Sequence, residues 1–320
     1  MVAPDSKAKT LPNCGSGYKF AELLRRICDL MVIPADSYEL DGALRYADAV
    51  VVRADRWAHQ RLALNHELPY LLIAHDLACM RDPECGLDDQ ERETIEAAAA
   101  VVFIARGLHD YASEHYTVPA HEIIALRPLA RDLDFEPLPR IPHSLVFAGG
   151  ALGLDVAGSP WAYRVNHSAF AAAVHGGWQM HIYPSVEHPE AWQQLRELGC
   201  VIHKPVPERF LPQELSQYTA GLQIFNTDDA PPSSLRYSRL AWPNKCWLYL
   251  SAGIPTVGTN PGFESCSIYE GRWGIVLDGA KELADLREED LPAIDESVRR
   301  AEVIDGDLPK LASLLSLVIK

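Results

Sequence analysis

The chain has 320 residues, 48% hydrophobic and 23% charged, with a formal net charge of −15. That length holds two domains with separate cores, and the composition excludes gross disorder. The acidic balance excludes broad binding along a nucleic-acid backbone, which depends on Lys and Arg, but leaves room for one small basic pocket.

The N-terminal stretch lacks an apolar run of signal-peptide length, and nowhere do about 18 apolar residues run together as a membrane span requires. Seven scattered cysteines form no Cys-x-x-Cys pair; Cys79 and Cys85 are the nearest two, and no spaced histidine pair follows them. Reduced thiols in a cytoplasmic protein are the expectation.

Gly15-Ser16-Gly17 precedes the first helical segment, Phe20 to Cys28, as either a flexible loop or an anion-binding, acceptor-side nest. Leu30 to Ile33, Ala49 to Val52, Tyr70 to Ala74 and Val101 to Ile104 are continuous apolar runs of strand length. Continuity rather than alternation predicts parallel strands covered on both faces. Helices are expected over 57–66, 88–98 and 107–115 between them, the alternation of a doubly wound sheet. His75-Asp76 closes the third run, where a strand's carboxyl end favours catalysis, with His75 facing substrate and Asp76 as orienter or base. An ordinary strand-end pair is the alternative.

Three prolines within 135–142 predict a linker over 138–142, dividing an N-terminal domain (1–137) from a C-terminal one (143–304). The second series has strands over 144–148, 179–183, 200–203, 221–225, 256–257 and 274–277. Helices fit 162–174, 191–198, 211–218 and 245–252, and a loop carries Arg236, Tyr237 and Arg239. Residues 305–320 are expected to form an amphipathic helix packing back across the domain junction. The fold class is therefore α/β, two Rossmann-like doubly wound domains facing a cleft.

Trp242-Pro243-Asn244-Lys245 opens a short helix that Gly253 ends before a buried strand. Pro suits the first turn and Gly the left-handed cap. The helix start offers unpaired N–H groups and Lys245 a full charge, an arrangement suited to a diphosphate; a surface lysine on a capped helix is the plainer alternative. The stretch resembles the C-terminal half of GT-B-fold glycosyltransferases of the family 4 and family 1 group, with their P-x-K-x-x-E-Y-L-A-A-G-x-P-V-V segment. Pro243, Lys245, Tyr249, Leu250, Ala252, Gly253 and Pro255 match it. Gly262-Phe263-Glu264 followed by Gly274-Ile275-Val276, the strand-then-glycine Val146 to Gly150, and Leu71 to Asp76 extend the likeness.

The resemblance implies a metal-independent glycosyl transfer without a cofactor, from a nucleoside-diphosphate sugar to an unidentified acceptor. It implies Gly149, Gly150, Asn244 and Lys245 at the diphosphate, and His203, Lys204, Asn226, Thr227, Tyr249 and Glu264 at the sugar or nucleoside; Arg236 in the preceding loop is a candidate for a further charge-assisted phosphate contact, a solvated arginine being the alternative. One departure stands out. Leu240 and Leu248 occupy the places of two family glutamates, and neither side chain accepts a hydroxyl's hydrogen bond. Retention versus inversion stays open, as do a non-catalytic GT-B-like binding protein and a nucleotide-sugar epimerase. Asp132-Leu133-Asp134 resembles a metal-binding Asp-x-Asp but has no supporting context, so no metal is expected.

Overall fold

The computed structural model describes residues 2–3, 16–30, 33–34, 44–53, 68–184, 189–228 and 230–319. They divide into two compact units, Met1–Leu126 with Ile304–Lys320, and Arg127–Val303.

In the first unit β1 (Val2–Ala3) pairs in parallel with β2 (Ile33–Pro34). A four-stranded parallel sheet follows, in the order β3 (Val50–Arg53), β4 (Tyr70–Ala74), β5 (Ala100–Phe103) and β6 (His121–Ile123). Every residue of β3, β4 and β5 is buried, the reason their apolar runs are unbroken. Helices α1 (Ser16–Leu24), α2 (Ala78–Arg81), α3 (Asp88–Glu96) and α4 (Arg106–His115) accompany these strands. Gly15 and the helix expected over 57–66 lie outside the described residues.

The second unit carries β7 (Ser144–Ala148), α5 (His167–His175), β8 (Gln179–Tyr183), α6 (Pro189–Glu197), β9 (Val201–Ile202) and α7 (Leu211–Leu215). It continues through β10 (Ala220–Gln223), α8 (Pro232–Leu240), α9 (Asn244–Ala252), β11 (Thr256–Gly258), α10 (Cys266–Tyr269), β12 (Gly274–Val276) and α11 (Glu296–Ala301). Its six strands are all parallel, in the order β9-β8-β7-β10-β11-β12. The direction of winding reverses between β7 and β10, the topological switch point at which such sheets bind ligands. The stretch expected as a loop through Arg236 and Arg239 is helix α8, because Pro231 and Pro232 start a helix as readily as they interrupt one.

Side-chain alternation along β7 splits the core into two layers. Leu145 and Phe147 join Phe170, Met180, Leu195, Leu222 and Val257 on one face. Val146 and Ala148 join Tyr183, Leu215, Tyr218, Tyr249 and Ile254 on the other.

The domain boundaries differ from expectation. Leu138 N–H donates to Ser216 Oγ at 3.0 Å, Ile141 N–H to Gln217 O at 2.6 Å, and the Arg140 guanidinium to Tyr218 O at 2.9 Å. Proline keeps 138–142 from continuing a helix, yet the remaining donors fasten it to the second unit. Arg299 of α11 donates to Ser251 O, at the end of α9, and to Leu133 O, anchoring the preceding segment as well. The chain thus passes between units at 126–127 and returns at 303–304, not at a free linker over 138–142. The terminal helix α12 (Leu308–Val318) packs Leu311, Leu314, Leu315 and Val318 inward against β4, β5 and β6. It is therefore part of the first unit.

Gly221 of β10 lies flat against the Tyr249 ring. A Cβ built there would stand 2.3 Å from that ring. Gly221→Ala is expected to cost about 2 kcal/mol by overpacking, seen as a lower urea midpoint without loss of the α/β circular dichroism signature.

Candidate functional site

Helix α9 starts after Pro243, whose extended backbone (φ −72°, ψ 139°) lets the chain enter the first turn directly. It ends at Gly253, whose left-handed φ of 70° places its N–H on Leu250 O and Tyr249 O. The orientation of the helix is set from below by Tyr249. Its buried hydroxyl accepts from Ala148 N–H at 3.0 Å and donates to Leu222 O at 3.0 Å. One phenol thus joins β7 to β10 across the switch point.

Lys245 stands in the first turn of this helix. Its Nζ lies 4.1 Å from the centre of the Phe147 ring, a cation–π contact. Gly149, just past β7, has φ +144°, and a Cβ there would come within 3.5 Å of Lys245 Cε. Gly150 follows in the same turn. Arg164 ends a single 3₁₀ turn (Ala162–Arg164) in the segment after it, its guanidinium 4.8 Å over the Trp161 ring and its Nε donating to Tyr163 Oη at 2.9 Å. No described carboxylate lies within ion-pairing distance of Lys245 or Arg164. Burial, and then the Arg164 charge, pull the Lys245 ammonium down to about 7. Lys245 thus stands at the start of α9, within electrostatic reach of Arg164.

The other expected residues separate into two groups. At the ends of β8 and β9, His203 lies parallel to the Tyr183 ring at 4.2 Å. Its Nε2 is 2.9 Å from His181 Nδ1 and 3.2 Å from Tyr218 Oη. Burial and the neighbouring His203 lower His181 to about 4, so both rings are neutral near pH 7. Lys204 is exposed beside them. Asn226 and Thr227 line a cavity of about 620 Å³ beyond the ends of β10, β11 and β12, with Arg239, Asn260, Asp278 and Lys281. Asn226 Oδ1 accepts from Asp228 N–H.

The structure gives several of them other work. Tyr249, expected at the donor nucleoside, is fully buried with its hydroxyl committed on both sides. Arg236 is exposed on α8, and Arg239 lines the cavity in its stead. The Glu264 backbone bonds Arg239 O and Ser267 Oγ, while its neighbour Phe263 lines the cavity. Leu248 packs against the Tyr249 layer, and Leu240 ends α8 half-buried. Asn244 opens α9. In the first unit, Ser16 and Gly17 lie in the first turn of α1. His75 is half-buried at the end of β4, and the buried Asp76 is ion-paired with Arg81 of α2, which engages it as an anchor. Among the described residues no three His, Cys, Asp or Glu gather as a metal site; Asp134 is paired with Arg300.

The sequence matches no family model and no curated protein. Solved structures do match. Sucrose-phosphate synthase from Thermosynechococcus elongatus superposes with a TM-score of 0.61 at 11% identity, over 91% of this chain and 82% of that one. A glycosyltransferase from Rickettsia africae ESF-5 gives 0.55 at 12% identity, over 96% and 89%. AviGT4, a glycosyltransferase involved in avilamycin A biosynthesis, gives 0.51 at 14% identity, over 90% and 81%. The fold is GT-B. Within the GT-B frame, Arg164 is the residue that motif spacing misses. It lies far along the chain from Lys245, and only the aromatic run Trp161-Ala162-Tyr163 beside it hints at a held guanidinium.

Tyr249→Phe tests the structural assignment of that residue. It is expected to lower stability by about 2 kcal/mol, since Ala148 N–H loses its buried acceptor. Nucleotide affinity, measured by calorimetry, should stay within about threefold.

Proposed function

We propose that this chain is a glycosyltransferase that takes its sugar from a nucleoside-diphosphate donor bound to the second unit, without a metal or cofactor. The observation that carries the reading is the pair Lys245 and Arg164, two cations with no described acidic partner, beside Gly149 and the start of α9. A diphosphate supplies the missing negative charge. When the bond from the sugar's anomeric carbon to phosphate oxygen breaks, the leaving diphosphate gains charge, and the two cations with the α9 amides stabilise it. The similarity of fold to glycosyltransferases supports sugar as the transferred group. In the first unit His75 is the candidate to receive the acceptor hydroxyl's proton, Asp76 being held by Arg81. We place the protein in the cytoplasm on its scattered cysteines; no described helix is long and apolar enough to cross a membrane.

Leu248 in the core layer favours a second reading, a GT-B protein that binds a nucleotide without turnover. A panel of UDP-, GDP- and ADP-linked sugars separates the two. Transfer, or slow release of free sugar followed by proton NMR, supports the enzyme; binding with no turnover on any acceptor supports the other.

Lys245→Met is expected to weaken donor binding at least about tenfold, the worth of a charge-assisted contact. The same variant should be more stable than the parent near pH 8. The folded ammonium titrates near 7, against about 10 unfolded, so between those values the unfolded chain holds more protons and folding works against that charge. Unchanged affinity would remove Lys245 from the site.

A nucleoside-diphosphate sugar carries no titrating phosphate near neutrality, so its binding reads the lysine alone. Binding should take up a proton at pH 8 and less at pH 6, and affinity should fall as pH rises above about 7. Calorimetry in buffers of different ionisation enthalpy measures this directly. Equal proton uptake at both values would count against the pair.

A further inference from the structure

The turn after α2 brings two thiols together in the first unit. Asp82 N–H closes α2 on Ala78 O at 2.8 Å, and Cys85 N–H then bonds Asp82 O at 3.1 Å. Gly86, with φ +71°, turns the chain away in a conformation that side chains avoid. As a result Cys79 Sγ and Cys85 Sγ stand 3.5 Å apart, close to van der Waals contact. Cys79 is buried and Cys85 half-buried. A disulfide needs about 2.05 Å between sulfurs, so a small movement of the turn closes the bond.

That turn is tied to the end of β4. Arg81 lies between the two cysteines and pairs with Asp76. The buried Glu91 carboxylate caps α2, accepting from Ala78 N–H at 2.7 Å, from Cys79 N–H at a longer 3.5 Å, and from Tyr116 Oη at 3.0 Å. The Cys79 amide is the weaker half of the cap, and it belongs to the residue that closure would draw away. Burial and the Glu91 charge also raise the Cys79 thiol well above its usual range, so Cys85, the more accessible sulfur, is the one placed to react first.

We propose that Cys79 and Cys85 form a reversible dithiol–disulfide site whose closure loosens the Glu91 cap and shifts Arg81 from Asp76. The oxidant is a low-molecular-weight disulfide, RSSR. The accessible Cys85 thiolate attacks one of its sulfurs, forming Cys85–S–S–R and releasing RS⁻. Cys79 then loses its proton and attacks Cys85 Sγ, expelling the second RS⁻. Two cysteine thiols and RSSR thus become one cystine and two RSH, with two electrons passed to the small disulfide. A dithiol reductant reverses it. The site does not rest on the nucleotide-sugar reading, since it belongs to the first unit and asks nothing of the donor.

The test uses the full chain equilibrated with oxidised glutathione, alkylated, and cleaved with trypsin. Cleavage after Arg81 separates the two cysteines into Leu62–Arg81 and Asp82–Arg92. The expected product is these two peptides joined by a disulfide, released by dithiothreitol and absent in Cys85→Ser, whose half-exposed position spares the fold. A stable glutathione adduct on Cys85 with no joined peptide would overturn the site, as would both cysteines recovered alkylated. Hydrogen exchange then tests the coupling. The Ala78 and Cys79 amides should exchange at least about tenfold faster in the oxidised chain; equal rates would refute the link to the cap.

Discussion

The second unit is organised around one hydroxyl. Where β7 and β10 begin to wind in opposite directions, the helices that cover them leave a crevice, and backbone groups at its base would otherwise face no partner. Tyr249 Oη takes the Ala148 N–H and returns a proton to Leu222 O. The same ring fills the space that Gly221 leaves by having no side chain. Because Tyr249 belongs to α9, these contacts fix how far the helix start stands above the crevice. Lys245, one turn earlier, inherits that placement, and Phe147 on the facing strand gives its ammonium a surface to rest on.

Much of the fold was legible because parallel strands buried on both faces must be continuously apolar, and Tyr70 to Ala74 or Ser144 to Ala148 admit few other readings. The errors have specific physical origins. Paired prolines at 231 and 232 signal both a loop and a helix start, and local composition does not decide between them. The prolines of 137–142 signal a break in regular structure, which is true, but say nothing of where the remaining N–H groups find acceptors; those lie near residues 216–218. A motif match marks Tyr249 as belonging to the donor half without saying which way its ring points. Arg164 and Lys245 meet through the tertiary fold alone, so no spacing rule reaches the pair.

Leu248 follows from the same geometry. It sits on the Tyr249 layer beside residues that pack β7 and α7, where an ionised carboxylate without a partner would be costly to bury. The apolar residue stabilises the base of the crevice and gives up one polar contact above it.

The two strand-end sites differ in how their charges are met. In the first unit Asp76 and Arg81 neutralise one another, and Glu91 is hydrogen-bonded by two amides and a phenol. In the second unit burial and then the Arg164 charge disfavour the charged form of Lys245, and no described carboxylate relieves it. Juxtaposed like charges under partial burial oppose folding. Packing tolerates them because Phe147, Trp161 and Tyr163 offer π faces in place of counter-ions, a weaker interaction than an ion pair. A site balanced so incompletely by its own chain gains most from an anion that arrives from outside, and that is the ground on which the second unit, rather than the first, is proposed to hold a diphosphate.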